Sequence, residues 1–373
     1  MIVNIFRTLI FLLLPISVMG QSINLNVTTS TSNNNRSTFL LKRGAVTINN
    51  GQIQFQQSGK TVDGYTAYGI SPDKSIVSLL KWSGGTGHVV LFNSKGDTLT
   101  AYPTITMADR TSFGIYPFNN GDILLRDKIA DFTFCNTFGD IITNMSNSSK
   151  SKEGEAISEV SMSSGGKTVV IYSPKIKHNG TLGSKAVVKR SDNRFENVFY
   201  SSDRYLKDVT VSKDGNMIAA ITSAKGSRDK VLLMDKYGEN LTNITTKVNL
   251  KGVSLSENGK YIALYSSSRV MVYSVTDGDR LGSTSFRNPI YLAHYFPEDH
   301  LILALTGDYS KAANALGNVA VKAISLTKRK ITDKDFSGIL GFNKSIESRL
   351  IHTSKGHYKL IGASKELEIS TNL

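Results

Sequence analysis

The sequence predicts an all-β fold, a β-propeller built from four-stranded antiparallel blades. Three observations predict it: alternating apolar strands recur about every 45 residues, a short polar turn follows the first strand of each unit, and a glycine-centred turn follows the third strand in most units. One such unit cannot bury both faces of its sheet alone, so successive units are expected to pack around an axis. Seven blades is the favoured count, and eight is the alternative.

The first hairpin of each unit is a polar turn between two apolar strands. Gly, Asn and Asp permit tight turns, and the β-branched and aromatic residues beside them favour strands. Seven segments carry this pattern: Ala67 to Lys74, Ser112 to Gly121, Glu159 to Gly166, Asp208 to Gly215, Gly252 to Gly259, Leu292 to Asp299 and Leu340 to Ile346. The glycine of the turn after the third strand recurs at Gly96, Gly139, Gly238 and Gly278. Each unit is therefore expected to contain four strands.

Small residues occupy one position in the first strand of most units. They are expected to face the axis, where the blades converge and space is limited. The column contains Gly69, Gly114, Ser161, Thr210, Ser254, His294 and Gly341. His294 is its only large member, so this imidazole is a candidate ligand-binding group in the axial channel. The alternative is a packed histidine that fills space beside a smaller neighbour.

The chain is expected to divide into three parts. Residues 1–20 are predicted to be a signal peptide, because Arg7 precedes an apolar run and Gly20 is a suitable cleavage point. Residues 21–37 are predicted to be a flexible N-terminal segment, and residues 38–373 a single propeller domain. Within it, residues 38–62 contain a hairpin but are too short for a whole blade, so they are expected to supply strands that close the ring.

The turn motifs place the chain near known propeller repeats. Ser71-Pro72-Asp73, Ser212-Lys213-Asp214-Gly215, Ser256-Glu257-Asn258-Gly259 and the pair Asp235 and Gly238 carry the likeness. These units resemble the degenerate repeats of the WD-repeat-like, TolB-like and YVTN-type propellers, a resemblance that implies an architecture and leaves activity open. No Trp-Asp pair closes a third strand, and Trp82 is the only tryptophan, so the resemblance does not extend to the Trp-rich quinone-dependent propellers.

Net charge and cysteine content bear on the expected partners and on the cellular compartment of the protein. The 44 Lys and Arg exceed the 30 Asp and Glu and give a formal net charge of +14, which favours anionic partners through long-range attraction. A Lys-rich solvated surface is the alternative. Cys135 is the only cysteine, so no lipid-modified cysteine follows the predicted signal and no internal disulfide forms. We expect a periplasmic or secreted bacterial protein with no transmembrane segment in the mature chain.

Candidate site residues come from the longer loops of one face of the predicted ring. Cations there are interleaved with aromatic rings, a combination suited to an anionic ligand. The candidate ligand-binding residues are Lys175, Lys177, His178, Arg194, Tyr200, Arg204, Arg228 and the axial His294. They predict an exported, noncatalytic binding or scaffold propeller of the cell envelope. It would be a monomer that presents a basic, aromatic-containing face to a protein or an anionic glycan, with no nucleic-acid partner.

The alternative function is a glycan lyase or hydrolase that uses loop carboxylates or a histidine in the central funnel. The sequence identifies no catalytic residue, because it contains no Gly-x-Ser-x-Gly nucleophile motif and no glycine-rich phosphate loop with its lysine. The histidines show no metal-ligand spacing, and we predict neither a metal nor a cofactor.

Overall fold

A computed structural model shows an all-β molecule. It describes residues 25–29, 37–49, 52–83, 86–104, 114–126, 130–146, 155–178, 180–190, 193–327, 330–336, 338–342, 348–361, 363, 365 and 367–372. These residues form strands and turns and contain no helix. The strands assemble into eight antiparallel sheets, seven with four strands and one with five, and we number the sheets as blades 1 to 8.

Blades 1 to 4 occupy the first half of the chain, and each is a simple up-and-down meander. Blade 1 contains β2 (Ser37–Leu40), β3 (Ala45–Asn49), β4 (Gln52–Phe55) and β5 (Thr61–Val62). Blade 2 contains β6 (Tyr65–Ile70), β7 (Ile76–Ser83), β8 (Thr86–Asn93) and β9 (Thr98–Pro103). Blade 3 contains β10 (Gly114–Pro117), β11 (Ile123–Arg126), β12 (Asp131–Cys135) and β13 (Ile141–Ser146). Blade 4 contains β14 (Glu159–Met162), β15 (Val169–His178), β16 (Thr181–Lys189) and β17 (Phe195–Ser201).

Blades 5 to 8 follow, and the last one combines strands from both ends of the described chain. Blade 5 contains β18 (Tyr205–Val211), β19 (Met217–Ser223), β20 (Lys230–Asp235) and β21 (Asn240–Thr245). Blade 6 contains β22 (Leu250–Leu255), β23 (Tyr261–Ser266), β24 (Arg269–Ser274) and β25 (Arg280–Ser285). Blade 7 contains β26 (Ile290–Phe296), β27 (Leu301–Ser310), β28 (Ala315–Ser325) and β29 (Lys330–Phe336), with the short β30 (Leu340–Gly341) added to β28. Blade 8 contains β31 (Arg349–Ser354), β32 (His357–Ile361), β33 (Leu367–Thr371) and β1 (Leu25–Thr29).

The ring is closed by the N-terminal strand β1. This strand runs antiparallel to β33, with Val27 opposite Ile369, and becomes the outermost strand of blade 8. The sequence placed residues 21–37 in a flexible segment and assigned ring closure to residues 38–62. The latter instead form a sheet of their own, because strands of only four, five, four and two residues fit four times into this short stretch. The described residues therefore form eight sheets, seven with four strands and one, blade 7, with five, and eight is the count that the sequence held as the alternative to seven.

The first strand of the last blade also differs from the expected position. The sequence placed it at Leu340 to Ile346, whereas the structure places it at β31. Leu340 is fully buried, but it lies opposite Leu316 at the end of the long hairpin of blade 7. The apolar pattern of the segment from Leu340 is therefore explained by packing against blade 7, and the segment does not begin a new blade.

Blade-to-blade packing supplies the core. Seven clusters of buried apolar side chains each join two successive blades, from blades 1 and 2 to blades 7 and 8. Both faces of the inner strands are covered in this way, which explains continuous buried runs such as Ile218–Ile221. Glycine permits close contact between blades at the turn after the third strand. A Cβ at Gly238 would lie 2.0 Å from Cγ1 of Val198 in the preceding blade, and the φ angle of Gly238 is +81°. The repeated turn glycine is therefore also a packing residue.

The first hairpin turns are joined to each other from blade to blade. The backbone N–H of Asp73 donates to Asn119 Oδ1 at 3.0 Å, and Gly165 N–H donates to the Lys213 carbonyl at 2.9 Å. Within the turns, Ser212 Oγ donates to Asp214 Oδ1 and accepts from the N–H of Met217. The serine and aspartate side chains of the Ser-x-Asp motif thus hydrogen-bond within their own turn, while the backbone of the turn bonds to the turn of the neighbouring blade.

The meander gives the ring two different faces. In each blade the turns after the first and third strands lie on one face, here named the turn face. The loop after the second strand and the connection to the next blade lie on the other, here named the connecting face. In blades 5 to 7 the connecting face includes residues 202–205, 224–230, 246–251, 267–269 and 286–291. The turn face of the same blades includes residues 212–217, 235–239, 256–261, 274–280 and 297–300.

Candidate functional site

Three of the candidate residues lie on the long second hairpin of blade 4. Lys175 is exposed, Lys177 is half-buried, and the backbone of His178 pairs with Thr181, while the side chain of His178 lies outside the described part. The backbone N–H of Lys177 donates to Glu155 Oε1 at 2.9 Å. The stretch predicted as a loop is therefore mostly paired strand, with a register shift between Ser173 and Ile176.

Arg194 and Tyr200 end on opposite faces. Arg194 lies in the turn between β16 and β17, where its carbonyl accepts from Arg190 N–H at 2.7 Å, and this turn belongs to the turn face. The sequence had grouped Arg194 with the other candidates on one face, whereas the fourth strand of blade 4, β17, begins only at Phe195, so Arg194 lies before this strand and not after it. Tyr200 lies on the connecting face, is 38% exposed, and donates its hydroxyl to the Thr181 carbonyl at 3.2 Å.

Arg204 is fixed in place and supports a neighbouring loop. Its guanidinium donates to Thr222 Oγ1 at 3.0 Å, to the Thr222 carbonyl at 2.8 Å and to the Arg228 carbonyl at 3.0 Å. Arg204 therefore orders the loop that carries the exposed Arg228 side chain. The structure brings these two candidates together, with Arg204 as the supporting residue and Arg228 as the accessible one.

Asp229 joins the connections on either side of it. Its side chain is 4% exposed, accepts from Leu250 N–H at 2.7 Å, and pairs with Lys207 Nζ at 3.0 Å, while its carbonyl accepts from Thr246 N–H at 3.1 Å. Burial acts to raise the pKa of this carboxyl, but the hydrogen bonds from Ser223, Leu250 and Lys207 hold the pKa below its usual value. The carboxylate is thus ionised and structural.

The connecting loops of blades 6 and 7 are likewise tied together. Ser267 and Ser268 accept through their carbonyls from the N–H groups of Ile290 and Phe286, at 2.9 and 2.7 Å. The Pro289 carbonyl accepts from Gly307 N–H at 3.0 Å. Together with the contacts of Arg204 and Asp229, these bonds hold the connecting face of blades 5 to 7 as one ordered surface, which lowers the entropy cost of binding.

The two faces of blades 5 to 7 differ strongly in charge. Among the described residues, the connecting face presents two exposed carboxylates, Asp203 and Asp308, since Asp208 is half-buried and Asp229 is buried. Its exposed cations are Lys225, Arg228, Lys230, Lys247, Lys251, Arg269, Arg287 and, on the long hairpin of blade 7, Lys311. The turn face instead carries the exposed carboxylates Asp214, Glu239, Asp277, Asp279 and Glu298 beside the exposed cations Lys213, Lys236, Lys260 and Arg280. Among the described residues of these blades, exposed positive charge in excess of negative charge is therefore concentrated on the connecting face.

His294 forms a polar cluster at the axis. Its Nδ1 is hydrogen-bonded to Ser254 Oγ of the neighbouring blade, and its ring packs against Phe296 at 4.6 Å between centroids. The guanidinium of Arg349 in blade 8 reaches the Met162 carbonyl in blade 4 at 3.1 Å, half a ring away. Burial and then the charge of Arg349 lower the pKa of His294 to about 4, so the imidazole is neutral near pH 7. The histidine is 9% exposed and is packed rather than open.

A second histidine forms a carboxylate pair on the turn face. Asp299 Oδ2 lies 3.2 Å from His352 Nε2, 2.5 Å from the Tyr358 hydroxyl and 3.2 Å from Gly356 N. Tyr358 is 1% exposed, and burial followed by the bond to Asp299 raises its pKa. The cluster joins blades 7 and 8 and lies away from the connecting face, so it does not form a funnel site with the predicted loop residues.

Two further properties concern the described part of the chain as a whole. No group of three or more His, Cys, Asp or Glu side chains within it is arranged to hold a metal ion. None of its segments forms a helix long and apolar enough to cross a membrane.

The cations missed by sequence reasoning are those in short connections. Lys247, Lys251, Arg269 and Arg287 all lie beside strand ends on the connecting face. Loop length directed attention to blade 4, whereas tight connections in blades 5 to 7 bring more exposed charge together. The signal that finds them is the side of the meander on which each strand end lies.

The sheet topology, the apolar clusters between successive blades and the likeness to solved propellers define this chain as a β-propeller. The propeller of Dos1 is similar to it, with 12% sequence identity, a TM-score of 0.51, and coverage of 88% of this chain and 82% of that one. A chain described as KlHsv2 with loop 6CD replaced by a Gly-Ser linker is similar at 9% identity and a TM-score of 0.50, covering 79% of this chain and 88% of that one.

These likenesses show the fold alone, because the identities are far below the level at which function is shared. No family model matches the sequence, and no curated protein matches it.

Proposed function

We propose that this protein is a noncatalytic binding or scaffold propeller that holds an anionic partner on the connecting face of blades 5 to 7. The observation that carries the proposal is the charge difference between the two faces, with eight exposed cations against two exposed carboxylates among the described residues of the connecting face. Hydrogen bonds between the loops keep that surface ordered before binding. Long-range attraction then speeds encounter with a polyanion, and salt weakens it.

The proposed setting is the bacterial envelope, where the protein acts as a periplasmic or secreted monomer. This part of the proposal rests on Arg7, the apolar run after it and Gly20, all of which lie outside the described residues. Acidic polymers are abundant at such surfaces, and a net charge of +14 suits them.

Reversing charge on the connecting face tests the binding site. The triple variant Lys225→Glu, Arg228→Glu and Lys251→Glu is expected to bind a heparin column about tenfold more weakly, and to elute at lower salt, because three exposed cations become repulsive. Retention of partners from envelope extracts on immobilised protein is expected to fall in parallel, at low salt more than at high salt.

A matched variant on the turn face controls for net charge. The triple variant Lys213→Glu, Lys236→Glu and Lys260→Glu lowers the formal net charge by the same six charges as the connecting-face variant. All three side chains are exposed. This variant is expected to keep most of the binding. Equal losses in the two triple variants, or binding that ignores ionic strength, would refute the proposed face.

A further inference from the structure

The second hairpin of blade 7 extends beyond the rest of its blade. Strands β27 and β28 contain 10 and 11 residues, whereas the equivalent β23 and β24 of blade 6 contain six each. The extension rises on the connecting face and is bonded at its base, where Gly307 N–H donates to the Pro289 carbonyl. At its tip, Asn314 Nδ2 donates to the Phe342 carbonyl at 2.6 Å, and Phe342 N–H donates to the Asn314 carbonyl at 2.8 Å. Residues 307–317 therefore form a projection, which hydrogen bonds hold at its base and at its tip.

Three aromatic rings are stacked along this projection. Phe342 and Tyr291 are stacked with centroids 4.3 Å apart and planes at 25°, and Tyr291 and Tyr309 are 5.1 Å apart at 37°. The Tyr309 hydroxyl donates to Asn314 Oδ1 at 2.5 Å, which fixes the ring. Tyr309 is nevertheless 42% exposed. The column thus ends in a flat aromatic ring that is covered on the side of Tyr291 and accessible to solvent.

Exposed charge lies on the hairpin and on the connections that follow from its base. The hairpin carries Lys311 and Asp308, and the Asp308 carboxylate accepts from Asn318 Nδ2 at 2.8 Å. Arg287 is in the same connection as Pro289, the residue that anchors the base of the projection, and this connection is bonded to Ser267 and Ser268 next to Arg269. The cations of the connecting face therefore extend from the base of the projection onto blades 6 and 5. The arrangement combines one apolar, planar contact with several separate positive contacts.

The composition of the face favours a polysaccharide over a protein. A protein interface has a desolvated apolar core from which lysine is depleted. Among the described residues, the exposed large apolar side chains on the connecting face of blades 5 to 7 are Tyr205, Tyr309 and Ile339, against eight exposed cations, five of them lysines. A pyranose ring matches a tyrosine, because its C–H face packs on the aromatic face while hydroxyls bond the polar edge.

We infer that the connecting face binds an acidic polysaccharide, with one sugar ring stacked on Tyr309 and the carboxylate or sulfate groups of neighbouring sugars on Arg287, Arg269 and the cations of blades 5 and 6. This inference rests on the proposed function and specifies its ligand class. Tyr309 supplies selectivity for sugar rings, and the cations supply attraction for any polyanion.

The experiment compares polygalacturonate and heparin with poly-L-glutamate, a polyanion without sugar rings, by isothermal titration at low salt. Tyr309→Ala is expected to weaken binding of at least one of the two polysaccharides roughly three- to tenfold, the usual value of one aromatic contact, and to leave poly-L-glutamate binding unchanged. Tyr309→Phe keeps the ring and is expected to bind nearly as well as the parent protein. Tyr237→Ala removes a similarly exposed ring, 51% exposed, from the turn face and serves as the matched control.

The outcomes separate this inference from the proposed function. Equal effects of Tyr309→Ala and Tyr237→Ala, or failure of both polysaccharides to bind, overturn the polysaccharide inference. If poly-L-glutamate or a captured protein still depends on Lys225, Arg228 and Lys251, the anionic-partner proposal stands. Unfolding midpoints of each variant exclude a general loss of fold, and Tyr309→Phe keeps the test valid if Tyr309→Ala disturbs the hairpin.

Discussion

Lowering the pH from 7.5 to 5 is expected to reduce the free energy of unfolding by about 2 kcal/mol through His294 alone. The side chain is buried beside Arg349, and both burial and that charge lower its pKa to about 4 in the folded protein. In the unfolded chain the pKa is near ~6.5. Between these values the unfolded state binds a proton that the folded state does not, so stability falls as the pH falls. Below pH ~4 both states are protonated, and the full loss approaches roughly 3 kcal/mol.

The measurement is urea unfolding of the parent protein and His294→Gln at a series of pH values. Glutamine keeps a polar group near Ser254 but does not titrate, so the variant is expected to lose the slope between pH 6.5 and 4. The groups that face His294 are Ser254, the Phe296 ring and the Arg349 guanidinium, none of which titrates in this window. Parallel pH profiles for the two proteins would contradict the assignment.

Removing the Asp229 carboxylate is expected to cost about 2–4 kcal/mol, because it leaves Lys207 without its ion-pair partner and the buried N–H of Leu250 without an acceptor. Asp229→Ala should therefore lower the denaturant midpoint substantially. It should also weaken polyanion binding, since the connections that carry Lys225, Arg228 and Lys251 lose their shared anchor. Because the folded pKa of Asp229 lies below its usual value, its contribution is present above pH ~4 and is lost as the pH falls through the lowered folded pKa.

Glu257→Ala is the matched control for Asp229→Ala. Glu257 pairs with Lys213 at 2.8 Å, but the two side chains are 41% and 56% exposed. Loss of such a solvated pair is expected to change stability by only about 0–1 kcal/mol. A comparable loss in both variants would show that Asp229 does not act as an anchor.

Repetition made the architecture predictable from sequence. The Ser-x-Asp turns and the turn glycines recur because most blades need the same tight turns between antiparallel strands. The structure forms four-stranded sheets from these units. The segments whose place in the ring differs from the expectation have no such repetition. Blade 1 uses very short strands, and the closing strand β1 is separated from its partner β33 by most of the chain, so no local pattern indicates their pairing.

The candidate face was less predictable because it depends on which strand ends lie together. Loop length pointed to Lys175, Lys177 and His178 on a blade 4 hairpin that is mostly paired strand. The sequence identified Arg204 and Arg228, yet their different roles follow from hydrogen bonds that only the folded chain reveals. Phe342 reaches Tyr291, which stacks on Tyr309, because β30 pairs with β28 of blade 7, whereas the sequence had assigned Phe342 to the first hairpin of the next blade.

Pairing of β1 with β33 has a consequence for biogenesis. During vectorial synthesis, Leu25–Thr29 emerges early and has no sheet to join until residues 349–371 have been made. β1 therefore stays unpaired until blade 8 is complete, and an unpaired strand edge favours association with other chains. Because the pairing of β1 with β33 joins residues separated by most of the chain, we expect it to form late and slowly during folding.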